Sequence, residues 1–251
     1  MAMTPDPDLQ AALDAVYAAF DRYPRPAALE AAPGRDPKGV LARLSAKPLA
    51  ELTAGDFGGY LGWAMTTMGG VGDYKHFLPR ILELAACGPA QVHVGGDPES
   101  LARKILYGQF SDWTADERAA VVAAFDMAWR QALRAPPEEE GAEDWLRGLI
   151  VLGEPVEARL AAWLASDDRR AGLHLAGAVS SEIFRRSDAR ASFGDGDEYA
   201  AYRAYSTWLA GPAVRERLER LIPEIDSEDE AWRLEQALDV PMPPYPDVWR
   251  G

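Results

Sequence analysis

The sequence predicts an all-α protein, an irregular multi-helix array of about ten to twelve helices of ordinary length. Three observations carry that prediction. Apolar residues recur at helical spacing through most of the 251 residues. Asp-Pro pairs and Thr-x-x-acid boxes stand at the heads of those runs. Alternating β-branched runs are almost absent: the best strand candidate, Gln91-Val92-His93-Val94, is short and ends in Gly95-Gly96.

The first helix covers Asp8 to Tyr23, with Leu9, Leu13, Val16, Tyr17 and Phe20 on one face, and Pro24-Arg25-Pro26 stops it. Asp6-Pro7, Asp36-Pro37 and Asp97-Pro98 each open a helix. The Asp oxygen accepts an orphan backbone N–H, and Pro has no N–H that would go unpaired there. Thr53-Ala54-Gly55-Asp56 reads as a capping box that opens a helix to about Met68, closed by Gly69-Gly70. Next, Pro79 argues for a tight turn through 73–77 and a new helix whose first turn holds the proline. Thr114-Ala115-Asp116-Glu117 opens the longest helix, roughly 115–134, with Val121, Val122, Phe125, Ala128, Trp129 and Ala132 on its inner face.

Pro136-Pro137-Glu138-Glu139-Glu140-Gly141 fits a linker and fits a solvated inter-helix loop equally well. The chain accordingly reads as two parts, 1–136 and 137–251, or as one domain over 1–251. Helices follow near 143–152, 155–166, 168–187, 196–210, 212–222 and 228–239. Ala162-Trp163-Leu164-Ala165 returns as Thr207-Trp208-Leu209-Ala210, an offset of 45 residues. That interval suits a solenoid-like helix-pair repeat in the second part, and chance recurrence in an Ala-rich chain accounts for it as well.

Charge narrows the function classes. Apolar residues make up 48%, so a core is easily supplied, and the formal net charge is −14. Residues 1–136 carry 16 acidic and 13 basic side chains, a net of −3, while 137–251 carry 24 and 13, a net of −11. Affinity for phosphates needs clustered Lys and Arg, so no nucleic acid and no anionic membrane surface is expected as partner. Cys87 stands alone, which excludes an intrachain disulfide and a multi-thiolate metal site, and it reads as a small buried hydrophobe. The start of the chain lacks a basic n-region and no apolar run reaches the roughly 18 residues of a membrane span. A cytoplasmic location is expected.

The densest chemistry lies between Gly69 and Leu84. If the helical path ran on through Pro79, Asp73, His76, Arg80 and Glu83 would share a face, opposite Tyr74, Phe77, Ile81 and Leu84. A carboxylate beside a histidine is the minimum set for general acid–base work. The structural account of the same residues has Asp73 as an N-cap, Arg80 and Glu83 as a surface pair, and His76 bonded to loop carbonyls. The glycines before Asp73 lack the Lys-Ser/Thr of a phosphate loop. His76, His93 and His174 show no metal-ligand spacing, and His93 with Asp97 reads as a loop contact. Gly194-Asp195-Gly196-Asp197-Glu198 lacks the third ligand and the turn glycine of a calcium loop. Ser180-Ser181-Glu182 sits in a helical pattern, not at a nucleophile elbow. Arg169-Arg170 and Arg185-Arg186 read as salt-bridged helix ends, and the Pro-rich tail 241–251 as a segment lying on its own domain or offered to an aromatic groove. Neither a cofactor nor a metal is expected.

Tyr23-Pro24-Arg25-Pro26, Lys47-Pro48-Leu49-Ala50-Glu51-Leu52-Thr53, Thr66-Thr67-Met68-Gly69 and Asp73-Tyr74-Lys75-His76-Phe77-Leu78-Pro79-Arg80-Ile81-Leu82-Glu83-Leu84 together resemble a family of bacterial proteins with no assigned activity. Trp113-Thr114-Ala115-Asp116-Glu117 and Trp129-Arg130 continue the resemblance, which covers roughly residues 15–135. The family brings no catalytic residues to transfer. Its members tend to carry a Cys-Pro-x-Cys-like pair after the Tyr-Pro-Arg-Pro element, where this chain has Ala31-Ala32-Pro33-Gly34. A thiol or metal role at that point is therefore absent from this chain, or was never essential to the fold.

The expected function is that of a non-enzymatic helical interaction or adaptor protein, holding a protein partner, a basic one for preference, on a helix groove or acidic face. The alternative is an enzyme or small-molecule binder with a pocket around Asp73, His76 and Arg80.

Overall fold

A computed structural model describes residues 4–88, 96–137, 141–186 and 196–239. Among them are thirteen α-helices and no strand, an all-α multi-helix array. Two isolated bridges, Ala31 with Met68 and Ala64 with Met68, are the only extended pairing among the described residues. The strand candidate 91–94 with His93, the acidic run 138–140, Gly194 and Asp195, the side chains of Arg185 and Arg186, and the tail 241–251 lie outside the described residues. The chain divides into two compact units, Met1–Gln131 and Ala132–Gly251.

In the first unit, helix α1 spans Pro7–Phe20, with the Asp6 side chain accepting from the Leu9 amide. Helix α2, Pro37–Leu44, begins the same way at Asp36. The Thr53 box forms with both of its bonds, yet no long helix follows. The expected 54–68 helix is instead two single turns, α3 (Ala54–Phe57) and α4 (Tyr60–Trp63). Gly58 at φ +50 breaks the path between them, and Met65 at φ +62 turns it again into the bridge at Met68.

Helix α5, Val71–Cys87, corrects a second expectation, because it runs unbroken with Pro79 inside. A proline at that position costs about 3 kcal/mol through the bond it cannot make. Against that, Tyr74, Phe77, Leu78, Ile81 and Leu82 are all buried on α5, and each stabilises by roughly 1.5–3 kcal/mol. Burial therefore wins. Asp73 is not the N-cap either; it sits one turn in, its carboxylate accepting from the Gly70 amide at 2.8 Å. Cys87, at the end of α5, is half-buried rather than enclosed.

Helix α6, Pro98–Tyr107, is capped by Asp97. Gln109, in the left-handed region at φ +60, then turns the chain toward the long helix α7, Ala115–Ala132, whose Thr114–Glu117 box is formed. Helix α1 packs along α5, and of the expected inner face of α7 only Val122 is not fully buried.

The second unit holds α8 (Ala142–Val151), α9 (Glu157–Ala165), α10 (Arg169–Arg186), α11 (Asp197–Leu209), α12 (Pro212–Leu221) and α13 (Glu228–Asp239). Helix α10 is central, touching α8, α11, α12 and α13. Gly172 lets it lie close against α12, where a Cβ would stand 3.1 Å from a Leu221 methyl.

Candidate functional site

The four residues singled out on the sequence do fall on one side of α5, where Arg80 and Glu83 pair with each other and all four bond further groups. Asp73 closes its own helix start, as above. His76 Nδ1 lies 2.9 Å from the backbone carbonyl of Tyr23 and donates to it in the tautomer that carries the proton there. Its Nε2 is buried without a hydrogen-bond partner among the described residues. Arg80 Nε donates to the Leu52 carbonyl at 2.6 Å, and its Nη1 stands 2.7 Å from Glu83. Glu83 in turn accepts the Tyr17 hydroxyl of α1 at 2.6 Å. Burial of that phenol, then the bond to the Glu83 carboxylate, push its pKa well above the ordinary tyrosine range. Asp73 and His76 do not bond each other.

The strongest polar arrangement of this unit is one the sequence did not single out. Lys75 points to the opposite side of α5 and is buried, as is Glu117 at the start of α7. Lys75 Nζ stands 2.8 Å from Glu117 Oε2 and donates to the Tyr23 hydroxyl at 3.0 Å; Tyr23 donates to Glu117 Oε1 at 2.6 Å. The ammonium also lies 4.3 Å from the centre of the Trp113 ring and 5.0 Å from that of Tyr23, close enough for cation–π attraction. The Thr114 amide adds a further bond to Glu117, and Arg22 approaches it at 3.6 Å. Burial acts to raise the Glu117 pKa. Bonds from Lys75, Tyr23 and Thr114, with the Lys75 charge, outweigh it and hold the carboxyl below its ordinary value. A lysine on the stripe shared by Leu78, Pro79 and Leu82 was the available signal, since a buried ammonium requires a partner.

The Tyr23-Pro24-Arg25-Pro26 element is anchored by the same logic. Arg25 reaches the carbonyls of Ser45 at 3.2 Å and Lys47 at 3.1 Å, behind α2. Helix α5 is thus tied to α1 through Glu83, to the Tyr23 loop through His76, to the Leu52 turn through Arg80, and to α7 through Lys75. These side chains can fix four segments to one helix. Asp73 and His76 share no hydrogen bond, whereas Arg80 and the Tyr17 hydroxyl both meet Glu83.

In the second unit, a separate buried polar cluster joins α8, α10 and α11. Glu143 accepts from Ser181 at 2.8 Å and from Tyr205 at 3.3 Å; Glu182 accepts from Tyr202 at 2.7 Å. Arg147 lies 5.3 Å from the centre of the Tyr202 ring. His174 Nε2 is 3.1 Å from the Ala135 carbonyl. Trp163 and Trp208, the two tryptophans of the echoed strings, lie ring to ring at 6.0 Å. Of the basic doublet at the head of α10, Arg169 pairs with Asp226 and Glu230, whereas Arg170 bonds the Arg134 carbonyl. Among the described residues, no group of three or more His, Cys, Asp or Glu is placed to hold a metal ion. No described helix is long and apolar enough to cross a membrane.

No known protein family, curated protein or solved structure matches this chain.

Proposed function

We propose that this chain is a non-enzymatic helical interaction protein of the bacterial cytoplasm, whose acidic second unit meets a basic partner. The observation that supports it is the disposition of the α5 residues. Asp73, Lys75, Arg80 and Glu83, the carboxylate, ammonium and guanidinium side chains of the motif, each hold part of their own unit, and Asp73 does not bond His76. General acid–base work needs a donor and an acceptor aimed at one reacting atom, and this arrangement aims them apart. The resemblance over residues 15–135 belongs to the same proposal. Its motif residues are the ones that fasten the scaffold, so a shared motif would carry a shared fold rather than a shared reaction.

Affinity capture from the native host, with the chain as bait at low and at high salt, tests this reading. A stoichiometric basic protein held at low salt and released at high salt is the expected outcome. Recovery of no stoichiometric partner at either salt overturns it. One observation favours the second reading, an enzyme or small-molecule binder around Asp73, His76 and Arg80: the unpartnered His76 Nε2. A compound that raises the melting temperature of the wild type and not of His76→Gln would support it over the first.

A further inference from the structure

We infer that the outer face of helix α13 binds an arginine-bearing basic segment of a partner protein, with Trp232 as its platform. This rests on the interaction reading above and names the surface and the chemistry it would use. Trp232 is 64% exposed, the most exposed of the large hydrophobic side chains described. Glu228 and Asp229 lie one turn before it, Glu235 and Gln236 one turn after, and all four are exposed. Asp239 continues the stripe one turn beyond Glu235.

The carboxylates of α13 divide into two sets. Glu230, on the inner side, is tied to Arg169 at 3.0 Å, which also holds Asp226 at 2.7 Å. Among the described residues, Glu228, Asp229, Glu235 and Asp239 have neither an ion pair nor a hydrogen bond to their side chains. Two of these sit where a helix least favours them. Glu235 and Asp239 repel as like charges four residues apart, and both lie toward the C-terminal end, where the helix dipole disfavours negative charge. No basic residue of α13 itself stands in that last turn; Arg215 of α12 donates to the Leu238 carbonyl there at 3.0 Å and reaches neither carboxylate.

An exposed tryptophan and two like-charged, unpaired carboxylates four residues apart are separate costs, and they share one face. A single occupant relieves both. It must be cationic, to pair with Asp229, Glu235 and Asp239, and it must present a flat or aliphatic surface to the indole. A guanidinium meets both demands: it stacks on an aromatic face and bonds a carboxylate through two parallel N–H groups, whereas an ammonium is a compact, strongly hydrated charge.

The test measures fluorescence anisotropy of three labelled peptides against the full-length chain: one Arg-rich, one Lys-rich at equal charge, and one acidic. The Arg-rich peptide should bind tightest and the acidic one not at all. Trp232→Ala should raise the dissociation constant of the Arg-rich peptide about fivefold, since an exposed cation–π contact is worth about that. The double charge reversal Asp229→Lys with Glu235→Lys should raise it about tenfold or more, and Glu157→Lys with Glu216→Lys, on α9 and α12, should change it far less. Equal losses from both charge reversals, or an unchanged affinity in Trp232→Ala, overturn this site while leaving a basic partner for the unit as a whole. Failure of every basic peptide to bind overturns the site and the basic-partner reading together. A wild-type dimer that Trp232→Ala dissolves would show a second copy on this face, and would overturn the inference as well.

Discussion

Lys75 and Glu117 set the stability of the first unit through a pair that is safe only while complete. Moving either charge out of water costs several kcal/mol, and here that is offset by a 2.8 Å contact, the Tyr23 hydroxyl and two aromatic faces. Lys75→Met leaves Glu117 charged and enclosed, so it should destabilise the unit by about 3–5 kcal/mol. The double variant Lys75→Met with Glu117→Leu should lose much less, because no charge is stranded. Urea unfolding of the three proteins checks this, and a double variant as unstable as the single one would refute it. The same pair predicts a pH response. The Glu117 carboxyl is held below its ordinary value in the fold, so its contribution is complete above the unfolded value of about 4.3 and is lost as pH falls through the folded value. Glu117→Gln should therefore be less stable near neutrality and show a shallower fall in stability on acidification below about pH 4. An unchanged slope in that window would remove Glu117 from the account.

At the scale of elements, the decisive feature is the break between α3 and α4. Gly58 adopts φ +50 with ψ −134, a conformation that a side chain makes costly. Gly58→Ala should cost about 1–3 kcal/mol in thermal or urea unfolding even though its Cβ would meet nothing closer than 3.5 Å. A neutral result would mean that the break is not set by the backbone there. This element also marks where sequence reasoning ends. Helix heads were legible because their causes are local: Asp6, Asp36 and Asp97 each bond an amide three residues on. The six helices of the second unit were legible from apolar spacing. The Gly58-Gly59 break was hidden because Phe57, Tyr60, Leu61 and Ala64 keep helical spacing across it. Pro79 misled in the opposite direction, its local cost being visible and the burial that outweighs it being tertiary. The hub on α5 was half legible: Asp73, His76, Arg80 and Glu83 were found by their type. Their partners Tyr23, Leu52 and Tyr17 lie 53, 28 and 66 residues away, and no spacing rule reaches that far.

At the scale of the whole molecule, the net charge of −14 is distributed with a purpose that can be tested. In the first unit the basic side chains are largely committed: Arg25, Arg43, Arg80, Lys104 and Arg118 donate to backbone carbonyls, and Lys75 is buried. Lys104, for example, closes on the carbonyls of Gly62 and Ala64 at 2.7 and 2.9 Å, and its burial lowers its pKa. Cations fixed in this way are poorly placed to release counterions from a phosphate backbone, whatever their number. In the second unit exposed carboxylates predominate, those of α13 among them, and these repel phosphate outright. Affinity for duplex DNA depends on the cations that can still reach it, and falls steeply with salt when they do. The isolated chain should therefore not retard duplex DNA in a gel at moderate salt. The charge reversal Asp229→Lys with Glu235→Lys should not create retardation either, because two lysines on an acidic helix leave the surrounding field negative. Clear retardation of the wild type would require a cluster of accessible cations, where Arg25 and Arg43 are instead held on backbone carbonyls and Lys75 is buried.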